Sequence, residues 1–136
     1  MAPADSPIAA IQRYLDAFSQ NDPKAMAAAF DPEGSILDGM PPHSWHGPSA
    51  PLDWYRDVMA ESERVEASDY LVSLGEPLHN QVTGDRAYFV APAMMSFTLN
   101  GQEITQTGST FTVALKRTGD DWKIAAWAWS KGRAKP

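Results

Sequence analysis

Apolar residues recur at three- and four-residue steps through Ile8, Ile11, Leu15 and Phe18, directly behind Ser6 and Pro7. That spacing predicts an amphipathic helix, with the serine as N-cap and the proline, which has no N–H to satisfy, at its first position. The helix should end at Asn21. Asp22-Pro23 repeats the start signal for a short second helix that buries Met26, Ala29 and Phe30 and stops at Asp31-Pro32-Glu33-Gly34. A short extended piece, Ser35-Ile36-Leu37-Asp38, follows. Residues 39–51 hold four of the eleven prolines together with Gly39, His43, Trp45, His46 and Gly47, and read as an irregular loop with aromatic content. Leu52, Tyr55, Val58 and Met59 mark a third helix to about Glu63, flanked by Trp54.

From Ser68 the period drops to two, and turn signals at Thr83-Gly84-Asp85, Asn100-Gly101 and Thr118-Gly119-Asp120 divide the rest into four strands, about 68–82, 86–99, 102–117 and 121–130. Loops this short make consecutive strands antiparallel neighbours. The layout is α+β: three N-terminal helices packed on one face of a strongly curved, mainly antiparallel sheet. Nothing marks a second domain, so residues 1–136 read as one, with 131–136 as a flexible basic tail.

Strand parity then assigns faces. On the third strand Thr107, Ser109, Phe111, Val113 and Leu115 form the inward set. On the second it is Ala91, Ala93, Met95, Phe97 and Leu99, with a bulge expected at Pro92. The last strand alternates small residues, Ala126 and Ala128, with Trp127 and Trp129. With the alanines inward, room is left between sheet and helices, which implies a pocket. Both indoles then form an outer apolar patch suited to a homodimer contact. The reverse parity makes both tryptophans core, and the pattern alone leaves that open.

Composition narrows the function classes. The net charge of −6 argues against nucleic acid as partner. The imbalance lies in residues 1–100, with 14 acids against five bases, whereas 101–136 carry three acids and six bases. With no cysteine, disulfides, thiolate zinc sites and a Cys nucleophile are excluded. No signal-peptide pattern opens the chain and no apolar run is long enough for a membrane, so a soluble cytoplasmic protein is expected. His43 and His46 are two ligands at most, so no metal site is expected, and no nucleotide-binding or hydrolase motif implies a cofactor.

Gln12-Arg13-Tyr14 in the first helix, Asn21-Asp22 before the second, Asp38 after an Asp31-Pro32 stop, and Gly47 opening a third helix together resemble the nuclear transport factor 2 superfamily, most closely its SnoaL-like and ketosteroid isomerase-like proteins, from about Ile8 to Ser130. The resemblance implies a cone-shaped, cystatin-like α+β barrel with a deep apolar pocket, commonly dimeric, in a superfamily of isomerases, cyclases, dehydratases and epoxide hydrolases as well as binding domains. By the same resemblance Tyr14 matches an oxyanion-donating tyrosine and Asp38 a general base. A third acid, two residues before a strand phenylalanine, is replaced by Ser109 before Phe111, a weaker donor that disfavours steroid isomerisation. The enzyme logic is that of ketosteroid isomerase, itself a worked example of environment-tuned acids.

The expected site is therefore a small hydrophobic-molecule pocket with Tyr14, Asp38 and Ser109 as catalytic candidates. Phe18, Phe30, Trp54, Tyr55, Met59, Met95, Phe97 and Phe111 are its expected lining, and Trp45 and His46 a lid. Two functions fit: a cofactor-free isomerase, lyase or hydrolase, or a ligand-binding or dimerisation domain without chemistry. Each catalytic candidate also has a plain structural explanation: Tyr14 as a core tyrosine, Asp38 as a turn residue before Gly39, Ser109 as a small sheet residue.

Overall fold

The computed structural model describes residues 5–135. Helix α1 (Pro7–Ser19) begins where Ser6 Oγ accepts the Ala9 N–H, and α2 (Pro23–Ala28) where Asp22 Oδ1 accepts the Ala25 N–H. The buried stripe of α1 runs through Ala10, Ile11, Tyr14, Leu15, Ala17 and Phe18; Ile8 is off it and 43% exposed. Strand β1 (Phe30–Leu37) is longer than the expected four residues. It absorbs Asp31–Gly34 through a register shift while pairing in parallel with β7 (Asp121–Ser130).

The proline-rich loop is more ordered than its composition suggests. Ser44–His46 form β2 against β1, and α3 (Ala50–Val65) starts two residues earlier than its apolar stripe, taking Pro51 into its first turn where a missing N–H costs nothing. The expected strand 68–82 is two strands, β3 (Ala67–Leu74) and β4 (His79–Thr83), both paired with β5 (Arg86–Leu99). Between them Gly75-Glu76-Pro77 leaves the ladder, bracketed by hydrogen bonds from Gly75 N to Pro92 O and from Leu78 N to Val90 O. The sheet order is β2-β1-β7-β6-β5-β3, with β6 spanning Gln102–Thr118; β1–β7 is parallel and every other pair antiparallel. The sheet curls without closing, and the helices cover its inner face: an α+β cone.

Parity fails in two places, each at a bulge. Pro92 causes none: it pairs with Thr110 in register, and Ala87, Phe89, Ala91 and Ala93 are all buried on the inward parity, although Val90 between them is buried too. The bulge sits across from it instead, at Gly108 of β6, whose φ of 77° only glycine adopts without strain. On β7 the register slips at Ala125, between the pairs Leu115↔Ile124 and Ala114↔Ala126. One extra residue turns the rest of the strand over. Trp122 and Ile124 are inward before the slip, Trp127 after it, and Trp129 is partly buried against the same core. The assignment of Ala126 and Ala128 to the inside, and of Trp127 and Trp129 to an outer dimer patch, is thus reversed.

Residues Arg133–Lys135 form a short strand, β8, along Thr105–Thr107 of β6, so this stretch is not a loose tail. At the other end Asp5 ties the start of α1 to the sheet. Its carboxylate takes two hydrogen bonds from the Arg13 guanidinium, at 2.7 and 3.0 Å, and one from the Trp122 N–H at 2.9 Å. Those bonds, that to Arg13 foremost, hold its pKa down to about 2 from the ordinary 3.8. A carboxylate with a depressed folded-state pKa stabilises above the unfolded value and loses that contribution as pH falls through the folded one. Asp5→Ala should therefore cost about 1–2 kcal/mol at pH 6 and much less near pH 2, measured by urea denaturation at both; an equal deficit at the two pH values would exclude the tether.

Candidate ligand site

A cavity of about 780 Å³ lies between α1 and α3 on one side and β3, β5, β6 and β7 on the other. Cavities of 300–1,000 Å³ suit a drug-sized molecule. Leu15, Val58, Val72 and Met95 give it an aliphatic lining, and Tyr14, Phe18, Trp54, Tyr70, Phe111, Trp127 and Trp129 an aromatic one. The rings form a continuous wall: Trp54 meets Trp127 edge-on at 5.1 Å, and Trp127 meets Phe111 at 5.5 Å and Tyr14 at 6.1 Å. Pro41, Pro42, Arg64 and Lys131, all exposed, stand at the mouth. The side-chain carbons of Lys131 lie so close to Gly39 that a Cβ there would run into them.

Asp38 follows the last residue of β1 and borders the cavity, partly buried. Its Oδ2 accepts the Trp54 indole N–H at 2.9 Å and its Oδ1 the Gly39 N–H at 2.8 Å. Each oxygen keeps a free lone pair while two donors hold the carboxylate in place. Tyr14 is only 2% exposed, its ring against Phe30 at 5.3 Å. Its hydroxyl and the Trp127 indole nitrogen are the two fully buried side-chain polar atoms without a hydrogen-bond partner among the described residues. Burial pushes the Tyr14 pKa far up, and the charge of Asp38 pushes it the same way. The Trp127 N–H, a larger influence than Asp38, pulls it back down, although the pair falls short of hydrogen-bonding geometry. Tyr14 is therefore a neutral donor at any ordinary pH. Two unpaired buried donors on residues lining one cavity are unusual, since each costs about 1–3 kcal/mol.

Of the expected lining residues, Phe18, Trp54, Met95 and Phe111 border this cavity together with Tyr14 and Asp38. Ser109 does not: it is buried in the sheet, donating to Gln106 Oε1 and accepting the Gly132 N–H. Phe30 is core behind Tyr14, Phe97 stacks on the far side of Tyr70, and Met59 packs against the core without reaching the cavity. The Tyr55 hydroxyl reaches Asn21 instead. Trp45 and His46 are no lid. The Trp45 N–H donates to Asp57 at 2.9 Å, pinning β2 to α3, and His46 Nδ1 meets Ser35 Oγ on the outside. Both line a second, apolar hollow of about 420 Å³ on the outer sheet face, beside Leu37, Ala126 and Ala128. Gln106, Tyr70 and Lys131 are cavity residues that the sequence pattern did not single out, and Trp127 and Trp129 are ones that it set on the outer face. Among the described residues no three metal-ligating side chains come together, and no helix is long and apolar enough to cross a membrane.

The sequence signature of the SnoaL-like domain matches residues 8–132. The chain belongs to the SnoaL-like domain family. Its fold is shared with solved structures of low sequence identity. A hexachlorocyclohexane dehydrochlorinase, LinA-type3 from Novosphingobium barchaimii LL02, matches with a TM-score of 0.76 at 17% identity, over 95% of this chain and 88% of that one. A nuclear transport factor 2-like superfamily protein from Salmonella enterica subsp. enterica serovar Typhimurium str. LT2 matches at 0.75 and 21%, over 91% and 87%. A ketosteroid isomerase-like protein from Erwinia carotovora atroseptica SCRI1043 matches at 0.70 and 21%, over 91% and 92%. No curated protein matches this SnoaL-like chain by sequence.

Proposed function

We propose that this SnoaL-like domain binds a small, largely apolar molecule carrying an oxygen and moves a proton on it, without a cofactor, as an isomerase or lyase does. The observation that carries the reading is the pair of buried, unpartnered donors, Tyr14 Oη–H and Trp127 Nε1–H, on two residues that line the same cavity as Asp38. In the proposed cycle Asp38 takes a proton from the carbon next to a carbonyl. The electron pair moves onto the carbonyl oxygen, and that oxygen accepts hydrogen bonds from Tyr14 and Trp127. Return of the proton to the same carbon gives exchange, and to the γ-carbon of a dienolate an isomerisation; departure of a β-leaving group with its electron pair, and loss of the proton from Asp38 to it or to water, closes an elimination. Trp127 thereby takes the second-donor part expected of Ser109. The dehydrochlorinase and ketosteroid isomerase-like neighbours support such chemistry as a capacity of the fold, though not as a property of this chain.

A chain of protons is simplest to follow by isotope. With 2-acetylnaphthalene in heavy water, the domain should speed deuterium uptake into the acetyl methyl group, read by NMR, well above the buffer rate. Saturable binding without any uptake would leave the domain as a ligand-binding module. A homodimer, which the family resemblance implies, would be built on outer-face residues such as Leu37, 58% exposed, and Tyr88, 46% exposed, in place of the two tryptophans.

A further inference from the structure

Besides Asp38 and Tyr14, the cavity is bordered by the charged side chains of Asp57, Glu61, Arg64 and Lys131 and by the amide of Gln106. Gln106 lies on β6 three residues before Ser109, and the bulge at Gly108 between them carries the register from Ala93↔Ser109 to Met95↔Gln106. That extra residue brings the Gln106 side chain to the cavity beside Met95, its partner across the ladder.

The orientation of the carboxamide is determined by its neighbours. The Trp129 Nε1–H, 3.1 Å away, can only donate, so the atom facing it is the oxygen, Oε1. The same oxygen takes the Ser109 hydroxyl proton at 2.9 Å, and Ser109 Oγ in turn accepts the Gly132 N–H at 2.9 Å. That last contact depends on glycine, because a Cβ at position 132 would collide with the Thr107 carbonyl oxygen. With Oε1 engaged twice, the NH₂ group must point elsewhere, and among the described residues it donates to nothing. Gln106 also stands at the far end of the aromatic wall from Tyr14, three ring contacts away: Tyr14 to Trp127, Trp127 to Phe111 at 5.5 Å, and Phe111 to Trp129 at 5.9 Å.

We infer that Gln106 Nε2 is a second ligand-binding donor, locked in direction by Trp129 and Ser109, and that the ligand is a flat apolar molecule with a carbonyl-type acceptor at each end. Ser109 acts as a positioning residue behind it. The inference rests on the cavity being the ligand site with Tyr14 at its other end. An uncharged amide suits a neutral carbonyl, which gains a hydrogen bond without the desolvation of a full charge.

Three probes separate the contributions by calorimetry: naphthalene, 2-acetylnaphthalene and 2,6-diacetylnaphthalene. The second carbonyl should tighten binding to the wild-type domain by about tenfold, and Gln106→Leu should erase that gain, so that this variant binds the diacetyl probe no more tightly than the monoacetyl one. Gln106→Glu keeps an acceptor for Trp129 and Ser109 but turns an oxygen toward the ligand. It should lose the diacetyl gain and prefer 2-acetyl-6-hydroxynaphthalene, a reversal that loosened packing does not produce. Ser109→Ala should lose part of the diacetyl gain. If the diacetyl and monoacetyl probes bind equally to the wild type, or the gain survives Gln106→Leu, the inference falls, while single-carbonyl binding that weakens in Tyr14→Phe keeps the cavity reading alive. If no probe binds, both fall together.

Discussion

Asp38→Asn is expected to lower deuterium exchange into a bound ketone by about 10²–10⁴-fold, the range a positioned general base contributes, while changing ligand affinity no more than about threefold. The substitution preserves shape and removes the lone pair that accepts the proton. It has a structural side effect with a predictable sign. The carboxylate receives one donor on each oxygen, Trp54 Nε1–H and the Gly39 N–H. An amide has one acceptor oxygen, so its NH₂ must face one of those donors, and a loss of about 1–2 kcal/mol in stability should accompany the loss of exchange. Asp38→Glu separates the two effects: it keeps the charge and the acceptors but moves them by a methylene, so some exchange should survive. Full exchange in Asp38→Asn would remove Asp38 from the chemistry whatever its geometry suggests.

The local signals in this chain were strong where they depended on neighbours in sequence. Ser6-Pro7 and Asp22-Pro23 start helices because capping and a fixed proline φ act within one turn, and Asn100-Gly101 closes the β5–β6 hairpin through two residues of positive φ. Tyr14 and Asp38 were legible through their setting in a known family, and both border the cavity. The misplaced faces of the last strand share one cause. A run such as Ile124–Trp129 is apolar on both faces, so alternation assigns no side, and the slip at Ala125 comes from pairing with Leu115 and Ala114 across the β6–β7 turn. Parity counted through it turned Trp127 outward and placed the cavity's room at two alanines that in fact face the outer hollow. Ser109 illustrates the reverse. Its inward parity was right, yet Gln106, carried to the cavity by the Gly108 bulge, stands between Ser109 and any ligand. An isolated glycine within a strand pattern is a bulge signal, and Thr107-Gly108-Ser109 held it, but what the bulge aims inward depends on the partner strand.

Tyr14→Phe should stabilise the empty domain and cripple its chemistry at once. The tyrosine ring fills its place against Phe30 and Trp127, and phenylalanine fills it equally. What disappears is a hydroxyl that, among the described residues, has no partner and no access to water. Removing such a group relieves an unpaid desolvation penalty, here on the order of 1 kcal/mol, which for a domain of this size raises Tm by roughly 3–6 °C. In the proposed reaction the same deletion takes away the donor to charge developing on the ligand oxygen, and losing one such donor typically costs about 10²–10³ in rate. A fold that retains an unsatisfied donor at the expense of its own stability is doing what binding sites do when the missing partner arrives with the ligand. The ligand must then reverse the order of stability: with 2-acetylnaphthalene at saturation the wild type should gain more in Tm than Tyr14→Phe, because only its hydroxyl finds an acceptor. A variant that is less stable when empty, or gains as much from the ligand as the wild type, would show that the Tyr14 hydroxyl serves the core and not the cavity.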